Sequence, residues 1–203
     1  MATLRLGSSD PADGSSCLLA CDHAGVSELL IVTGPPGAGK STVARLVADR
    51  FEPSALVQGD VFFGFVARGY IDPWLAESHE QNTVVTEATS RATSVFARGG
   101  FTTIFDGMVG PWFLPTFLEH AGVESVHYAV LLPSVETCIA RVLARTDHGF
   151  REEAVTREMH ASFADGRIDP RSLIDAEPDP GSVAEEVLRR FGAGELAYRT
   201  PGA

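Results

Sequence analysis

The chain has 203 residues, of which 44% are hydrophobic, and its formal net charge at pH 7 is −11. A chain of this length and apolar content can bury one substantial core, which predicts a single domain. The negative charge argues against broad attraction to DNA, RNA or anionic lipid, so we expect no nucleic-acid and no membrane partner.

Residues 1–26 are rich in glycine, serine and other small or polar residues, and we expect a flexible leader there, followed by a folded domain over residues 27–203. From Glu28 onward, strand patterns alternate with helical patterns, which is typical of a parallel α/β sheet. The predicted strands are 28–33, 55–58, 102–105, 125–132 and 172–175.

The segment 34–41 reads Gly-Pro-Pro-Gly-Ala-Gly-Lys-Ser and fits the phosphate-binding pattern G-x-x-x-x-G-K-[ST]. It follows the first predicted strand and precedes a predicted helix over 41–51, and Lys40 is the only lysine of the chain. In this motif the lysine ammonium reaches the β- and γ-phosphates. The hydroxyl group that follows, here that of Ser41, holds Mg²⁺. We therefore predict a site for ATP and Mg²⁺, formed by Gly34, Pro35, Pro36, Gly37, Ala38, Gly39, Lys40, Ser41 and Thr42.

Two aspartates lie at the ends of predicted strands, where ligands gather in doubly wound α/β folds. Asp60 follows the second strand, where a carboxylate can position and deprotonate an acceptor hydroxyl; the alternative is an N-cap for a helix that begins at Val61. Asp106 ends the third strand, where it can orient Mg²⁺; the alternative is a turn-forming pair with Gly107. Their placement favours the functional interpretation of both residues.

Three further helices are predicted along the chain. The first covers 84–98 and is expected to carry Val84, Ala88, Ala92, Val95 and Phe96 along one apolar face. The second covers 134–145. The last is expected to begin with a capping box between Ser182 and Glu185.

Arginine residues recur after the fourth predicted strand, at Arg141, Arg145, Arg151 and Arg157. The guanidinium group suits the negative charge of a transferring phosphoryl group. Because Asp147-His148-Gly149-Phe150 interrupts the helical pattern, we expect a mobile lid around 146–168. Arg151 is expected to close on the phosphoryl group, and Arg145 is the second candidate.

Together these features resemble the nucleoside monophosphate kinase-like group of P-loop phosphotransferases, which includes shikimate kinase, gluconate kinase and chloramphenicol phosphotransferase. The resemblance covers the unit of strand, phosphate-binding loop (the P-loop, residues 34–41) and helix. It also covers the Gly-Asp pair at 59–60, the Asp-Gly pair at 106–107 and the arginine-bearing lid. It implies an α/β fold, the three-layer P-loop NTPase sandwich, with a five-stranded parallel sheet in the order 2-3-1-4-5. It also implies transfer of the γ-phosphate of ATP to a small acceptor, with adenine between Arg141 or Arg145 and the loop at 175–180.

The acceptor side has few cations and many aromatic residues. Between Asp60 and Asn82 the one cation is Arg68, whereas nucleotide kinases grip a second phosphate with several arginines. The aromatic residues are Phe62, Phe63, Phe65, Tyr70, Trp74, Trp112, Phe113 and Phe117. This composition favours an uncharged, partly apolar acceptor, such as an antibiotic or other secondary metabolite. Arg91 either points into the acceptor cleft or pairs with Glu87 on the helix surface.

Two other functions stay open at this point. An ATP-binding regulatory module would bind the nucleotide without a dedicated acceptor. A polynucleotide 5′-kinase would use similar parts but needs a basic approach path, which a chain of net charge −11 does not favour. A GTPase is disfavoured because its Asn-Lys-x-Asp motif requires a second lysine. No feature of the sequence predicts an oligomeric state.

The cysteine content indicates a reducing compartment, because Cys17, Cys21 and Cys138 are too few and too scattered for a disulfide framework. No apolar run approaches the roughly 18 residues of a membrane span. The N-terminus has no cationic segment joined to an apolar signal core. We therefore expect the protein in the cytoplasm.

Overall fold

The computed structural model describes residues 28–145 and 150–199. The predicted leader and residues 146–149 of the predicted lid lie outside these ranges. Helices that the structure describes are α1 (Lys40–Ala48), α2 (Gly59–Phe63), α3 (His79–Arg98), α4 (Leu114–Ala121), α5 (Val135–Ala144), α6 (Glu153–Ala164) and α7 (Pro180–Gly192). None of these helices is both long enough and apolar enough to cross a membrane.

The strands form one sheet and confirm the predicted α/β fold. They are β1 (Leu29–Thr33), β2 (Ser54–Gln58), β3 (Thr102–Asp106), β4 (Ser125–Leu131), β5 (Leu173–Ile174) and β6 (Ala197–Arg199). The first five run parallel in the order β2-β3-β1-β4-β5, as expected from the resemblance. The short β6, which was not predicted, pairs antiparallel with the first residues of β4.

Helices cover both faces of the sheet and produce the three layers. The side chains of Leu30, Val32 and Ile104 pack against α1 and α7 on one face. Those of Leu29, Ile31 and others pack against α4 on the opposite face, and α3 lies beside α4. Every residue of β1 is buried, as expected of a central parallel strand with helices on both sides. The P-loop leaves the carboxyl end of this strand and is thereby placed at the edge where β2 and β3 also end.

The apolar face predicted for α3 is present, but it is not the side through which the helix packs on the fold. Val84, Val95 and Phe96 are 64%, 60% and 45% exposed, and the helix begins at His79, before the predicted start. The opposite side is the buried one, and it carries Val85, Thr89, Ser90, Thr93, Ser94 and Ala97. Small side chains allow α3 to lie close to its neighbours. Their hydroxyl groups are satisfied within the helix, because each donates to a backbone carbonyl three or four residues earlier.

The predicted capping box of α7 is also wrong, because the helix begins earlier. Asp179 is the N-cap, and its Oδ1 accepts hydrogen bonds from the backbone N–H groups of Gly181 and Ser182 at 3.0 and 3.1 Å. Pro180 follows as the first helical residue, where its missing N–H costs no helical bond. Ser182 therefore lies inside the first turn, and its hydroxyl donates to Asp179 at 2.6 Å.

Candidate active site

The P-loop is held between β1 and α1 by close backbone packing that only glycine permits. Gly34 and Gly37 have φ angles of +146° and +81°. A Cβ atom at Gly34 would lie 2.2 Å from the carbonyl oxygen of Leu131, and one at Gly37 would lie 2.2 Å from that of Cys138. The end of β4 and the helix α5 therefore press directly on the loop, and they set its shape.

Lys40 is the first residue of α1 and lies half-buried at the mouth of the loop. Its Nζ donates a hydrogen bond to the carbonyl oxygen of Pro35 at 3.0 Å. Burial lowers the pKa of the ammonium group, while Asp60 and then Asp106 oppose that effect because their negative charges favour the protonated form. The structure thus brings the two predicted aspartates to the one lysine.

Asp106 is buried at the end of β3, where it pairs in register with Val32 of β1 and Gln58 of β2. Burial raises the pKa of its carboxyl group, and Lys40 together with hydrogen bonds from the side chains of Ser41 and Gln58 opposes the shift. Ser41 and Asp106, the two predicted metal ligands, therefore lie close to each other. Gln58 was missed by the sequence analysis, although its position at the end of a neighbouring strand was a usable signal.

Asp60 is the second residue of α2 and is exposed to solvent. The N-cap of that helix is Gln58, and no side chain makes a capping hydrogen bond there. The cap interpretation of Asp60 is therefore wrong. Among the residues that the structure describes, no hydrogen bond or ion pair engages this carboxylate, which lies near Lys40 and is therefore available to a ligand.

A cavity of about 320 Å³ lies next to the P-loop, between α1 and the loop that follows β5. Its lining includes Thr42 and Arg141, and Arg141 donates from both Nη atoms to the carbonyl oxygen of Ala176 at 3.1 Å. Glu177 joins this loop to α5, because its carboxylate accepts from the Ser134 N–H at 2.6 Å and the Thr137 hydroxyl at 2.8 Å. These hydrogen bonds lower the pKa of Glu177 to about 2. The cavity lies where the family resemblance places adenine.

The other predicted arginines after the fourth strand differ in their surroundings. Arg145 follows α5 and lies near enough to Lys40 to lower the pKa of that ammonium group. Arg151 is exposed and donates from its Nη2 to the backbone carbonyl of Arg145. Arg157 pairs with Glu153 on the surface of α6 at 3.2 Å. The structure therefore brings Arg145 to the P-loop, joins Arg151 to it, and leaves Arg157 as a solvated helix residue.

The aromatic residues predicted for the acceptor side range from fully buried to exposed. Phe117 is fully buried and packs against Phe105 with ring centroids 5.0 Å apart, so its prediction as a pocket residue is wrong. Phe65, Tyr70 and Trp112 are 72%, 47% and 47% exposed. Burial and then Asp72 and Asp60 raise the pKa of the Tyr70 hydroxyl, which places that ring near Asp60.

The segment 64–75, which we call the acceptor loop, is held by the start of α3. The side-chain amide of Gln81 accepts from the N–H of Ile71 at 2.9 Å and donates to the carbonyl of the same residue at 2.7 Å. The Asn82 amide and the Ser78 hydroxyl donate to the carbonyl of Pro73 at 2.7 and 2.9 Å. These anchoring residues were missed, since nothing in their spacing indicates a distant backbone partner.

The acceptor loop also touches the predicted lid, because the rings of Trp74 and Phe150 meet edge to face with centroids 5.0 Å apart. Arg91 does not enter the site. It pairs with Glu87 at 2.7 Å on the exposed side of α3, so the helix-surface interpretation is confirmed.

Comparison with known proteins places the chain in a recognised group. The sequence profile of the family described as AAA domain matches residues 29–167. The chain is 27% identical over 163 residues to adenylate kinase 1 from Nostoc sp., and the alignment covers 74% of this chain and 84% of that protein.

Solved structures share the fold. A sugar kinase from Janibacter sp. superposes with a TM-score of 0.63 and 20% identity, covering 80% of this chain and 92% of that one. The tunicamycin resistance protein of Deinococcus radiodurans superposes with a TM-score of 0.61 and 16% identity, covering 81% and 95%.

Proposed function

The chain belongs to the AAA domain family, and we propose that it moves the γ-phosphate of ATP to a hydroxyl group of a small, uncharged and partly apolar acceptor. The observation that carries this proposal is the meeting of Lys40, Asp60 and Asp106 beside the P-loop. A module that only binds nucleotide needs the lysine and Asp106. It has no use for a solvent-facing carboxylate at Asp60, which suits an acceptor hydroxyl.

The residues present fit Mg·ATP. The glycines of the P-loop leave its backbone open to phosphate, and Ser41 with Asp106 supplies the oxygen ligands that Mg²⁺ prefers. Burial raises the pKa of Asp106, and a cation next to this carboxylate would favour its ionised form. When bound, Mg²⁺ would offset the negative charge of the phosphates. Ser41 would hold it, and Asp106 would orient it through water.

Asp60 would accept the proton of the acceptor hydroxyl as its oxygen bonds to the γ-phosphorus. In the same step the bond from that phosphorus to the oxygen it shares with the β-phosphorus breaks, leaving ADP. Lys40 and Arg145 would offset the charge on the transferring group, because both lie at this end of the loop. Arg151 is proposed to act with them through its link to Arg145.

Arg141 is proposed to bind the nucleotide from the side of its base. Its two bonds to Ala176 hold the guanidinium group at the wall of the cavity next to Thr42. A planar cation of this kind can stack on an aromatic ring.

The surface of the acceptor side supports a neutral acceptor. Phe65, Tyr70 and Leu75 are exposed apolar or aromatic side chains on or beside the acceptor loop, and Arg68 is the one cation between residues 60 and 82. Arg91 pairs with Glu87 and therefore does not supply a second cation to the acceptor side. An anionic acceptor would find few partners here, whereas apolar surface favours a partly apolar molecule.

The test is a panel of hydroxyl compounds incubated with ATP and Mg²⁺ and analysed by mass spectrometry for the gain of one phosphoryl group. The panel contains neutral, cationic and anionic alcohols, among them antibiotics and sugars. We expect a product with a neutral, partly apolar member, no product with Lys40→Ala, and full product with the control Arg157→Ala. ATP binding without any product contradicts the transferase, and salt-sensitive binding of oligonucleotides would support a polynucleotide kinase instead.

A further inference from the structure

Helix α3 presents an apolar stripe to solvent, formed by Val84, Ala88, Ala92, Val95 and Phe96. At about 100° per residue these five positions fall within an arc of about 120°. The stripe is not the main packing side of α3, because the helix packs on the fold through Val85 and a side of serine, threonine and alanine residues. Within the stripe, the ring of Phe96 also meets that of Phe101, with centroids 6.0 Å apart. Val84, Val95 and Phe96 remain between 45% and 64% exposed along a helix of about 30 Å. Contiguous apolar surface of this kind marks an interaction site.

A row of charged side chains flanks the stripe on one side. It consists of Glu80, Glu87, Arg91 and Arg98, which lie within an arc of about 40°. The two acidic residues come first and the two basic residues come last, so the charges of the row cancel. The whole chain has a net charge of −11. Two copies of so acidic a chain repel each other in general, and this row is a surface on which the repulsion is absent.

We propose that the α3 stripe is a self-association surface, on which a second copy of this chain docks with its own α3 running antiparallel. An antiparallel two-fold arrangement places Glu87 opposite the partner's Arg91, and Glu80 opposite the partner's Arg98. It places Ala88 opposite the partner's Ala92 and Val84 opposite the partner's Phe96. The small residues at the centre let the two helices approach, and the larger ones cover the ends.

The order of the charges is what selects a second copy as the occupant. A row that is acidic in its first half and basic in its second is complementary to itself when reversed, as a two-fold interface requires. In an antiparallel helix pair the same flank of each helix meets its counterpart, so the row faces its own copy. Arg91 and Glu87 already pair within the helix at 2.7 Å, and the Arg91 side chain is 63% exposed, so it can also reach across to the partner. The second carboxylate oxygen of Glu87 lies 3.9 Å from Nε2 of His120 on α4. Arg98 also bonds to Ser94 and to the carbonyl of Ala121, so Glu87 and Arg91 carry most of the expected effect.

The experiment measures the mass of the full-length chain by sedimentation equilibrium over a concentration series. We expect the mass to rise from 21.6 kDa toward twice that value. Glu87→Arg and Arg91→Glu should each raise the dimer dissociation constant about tenfold or more, because like charges then face each other twice. An equimolar mixture of the two variants should form a heterodimer as tightly as the unmodified chain, since every facing pair is again of opposite sign. A contact that acts only within one helix cannot produce this recovery by mixing.

Two controls complete the test. Val84→Glu places a charge in the stripe and should prevent association, whereas Leu46→Glu, at a 38% exposed position on α1, should leave it unchanged. Melting temperatures are recorded for each variant to confirm that it folds. A chain that stays monomeric at every concentration overturns the proposal. The stripe would then have another occupant, such as a different protein or residues 1–26, or none. A dimer that is indifferent to Val84→Glu and to mixing overturns it as well, because its interface then lies elsewhere.

Discussion

The P-loop and the acceptor loop belong to the same candidate site, yet they are held by different kinds of contact. The P-loop is shaped by backbone packing, since a Cβ at Gly34 or Gly37 would lie 2.2 Å from a carbonyl oxygen. The acceptor loop is held by side chains, because the amide of Gln81 bonds both backbone groups of Ile71. One loop is therefore defined by its own glycines, and the other depends on a helix that follows it. The difference implies that the nucleotide side tolerates little change, while the acceptor side can be altered residue by residue.

The largest expected effect is on the nucleotide side. Lys40→Ala should lower phosphoryl transfer by about 10³-fold, because it removes the positive charge closest to Asp60 and Asp106. The melting temperature should change little, since the side chain is only half-buried. Steady-state kinetics with an identified acceptor and thermal denaturation measure the two effects. Arg45→Ala, an exposed cation on the same helix, is the control and should retain full activity.

The second prediction concerns the point where the two loops meet. Asp60→Asn should reduce kcat by about 10²-fold while leaving the KM for ATP unchanged, because the amide cannot accept the acceptor proton. Stability should be unaffected, as Asp60 caps no helix. Asp72→Asn changes a carboxylate within the acceptor loop itself and should have little effect. Near-normal kcat in Asp60→Asn would show that the base lies elsewhere, with Asp106 the next candidate.

A smaller effect is expected on the acceptor side. Gln81→Ala removes two hydrogen bonds to Ile71 and should raise the KM for the acceptor about tenfold, with the KM for ATP unchanged. Glu80→Ala alters the preceding residue of α3 and serves as the control. Equal changes in both KM values would mean that the acceptor loop and the P-loop are coupled, which would remove the contrast between them.

The smallest effect is one of stability and has a defined pH dependence. Burial raises the pKa of Asp106 above its ordinary value of 3.8, so the ionised carboxylate opposes folding at neutral pH. This destabilisation is absent at pH values below the pKa of Asp106 in the unfolded chain. It grows as the pH rises through the pKa of Asp106 in the folded protein. Asp106→Asn should therefore raise the melting temperature at pH 7 in the absence of Mg²⁺, and the gain should shrink as the pH falls toward 4. A rise in melting temperature that does not depend on pH would mean that Asp106→Asn acts through packing and not through the charge of the carboxylate.

The positions of the strands were predictable because they depend on contiguous patterns, and the sheet order was implied by the family resemblance. Apolar runs such as 29–33 are long enough to recognise, and the glycines and lysine of residues 34–41 form a local motif. Asp60 and Asp106 were located at the ends of strands for the same reason. Their roles in catalysis and in metal binding stay predictions, as do those of Arg145 and Arg151.

The buried side of α3 was not predictable. Hydrophobic periodicity indicates which side of a helix is apolar enough to be buried, but it does not show which side the fold buries. The side with Val84 and Val95 is the more apolar, but the side with Thr89 and Thr93 fits a close neighbour. The cost of burying those hydroxyl groups disappears once they bond to their own helix.

The sequence by itself determined the P-loop, the parallel sheet and the placement of two carboxylates next to the only lysine. Each of these follows from neighbouring residues or from the rule that parallel strands end at one edge. Only the tertiary structure decided which partners the polar side chains take, such as Glu177 for Ser134 and Gln81 for Ile71. The physical reason is that a hydrogen bond between residues far apart in the sequence forms only when donor and acceptor come within a few ångströms of each other. The pattern of residue types contains no information about that distance.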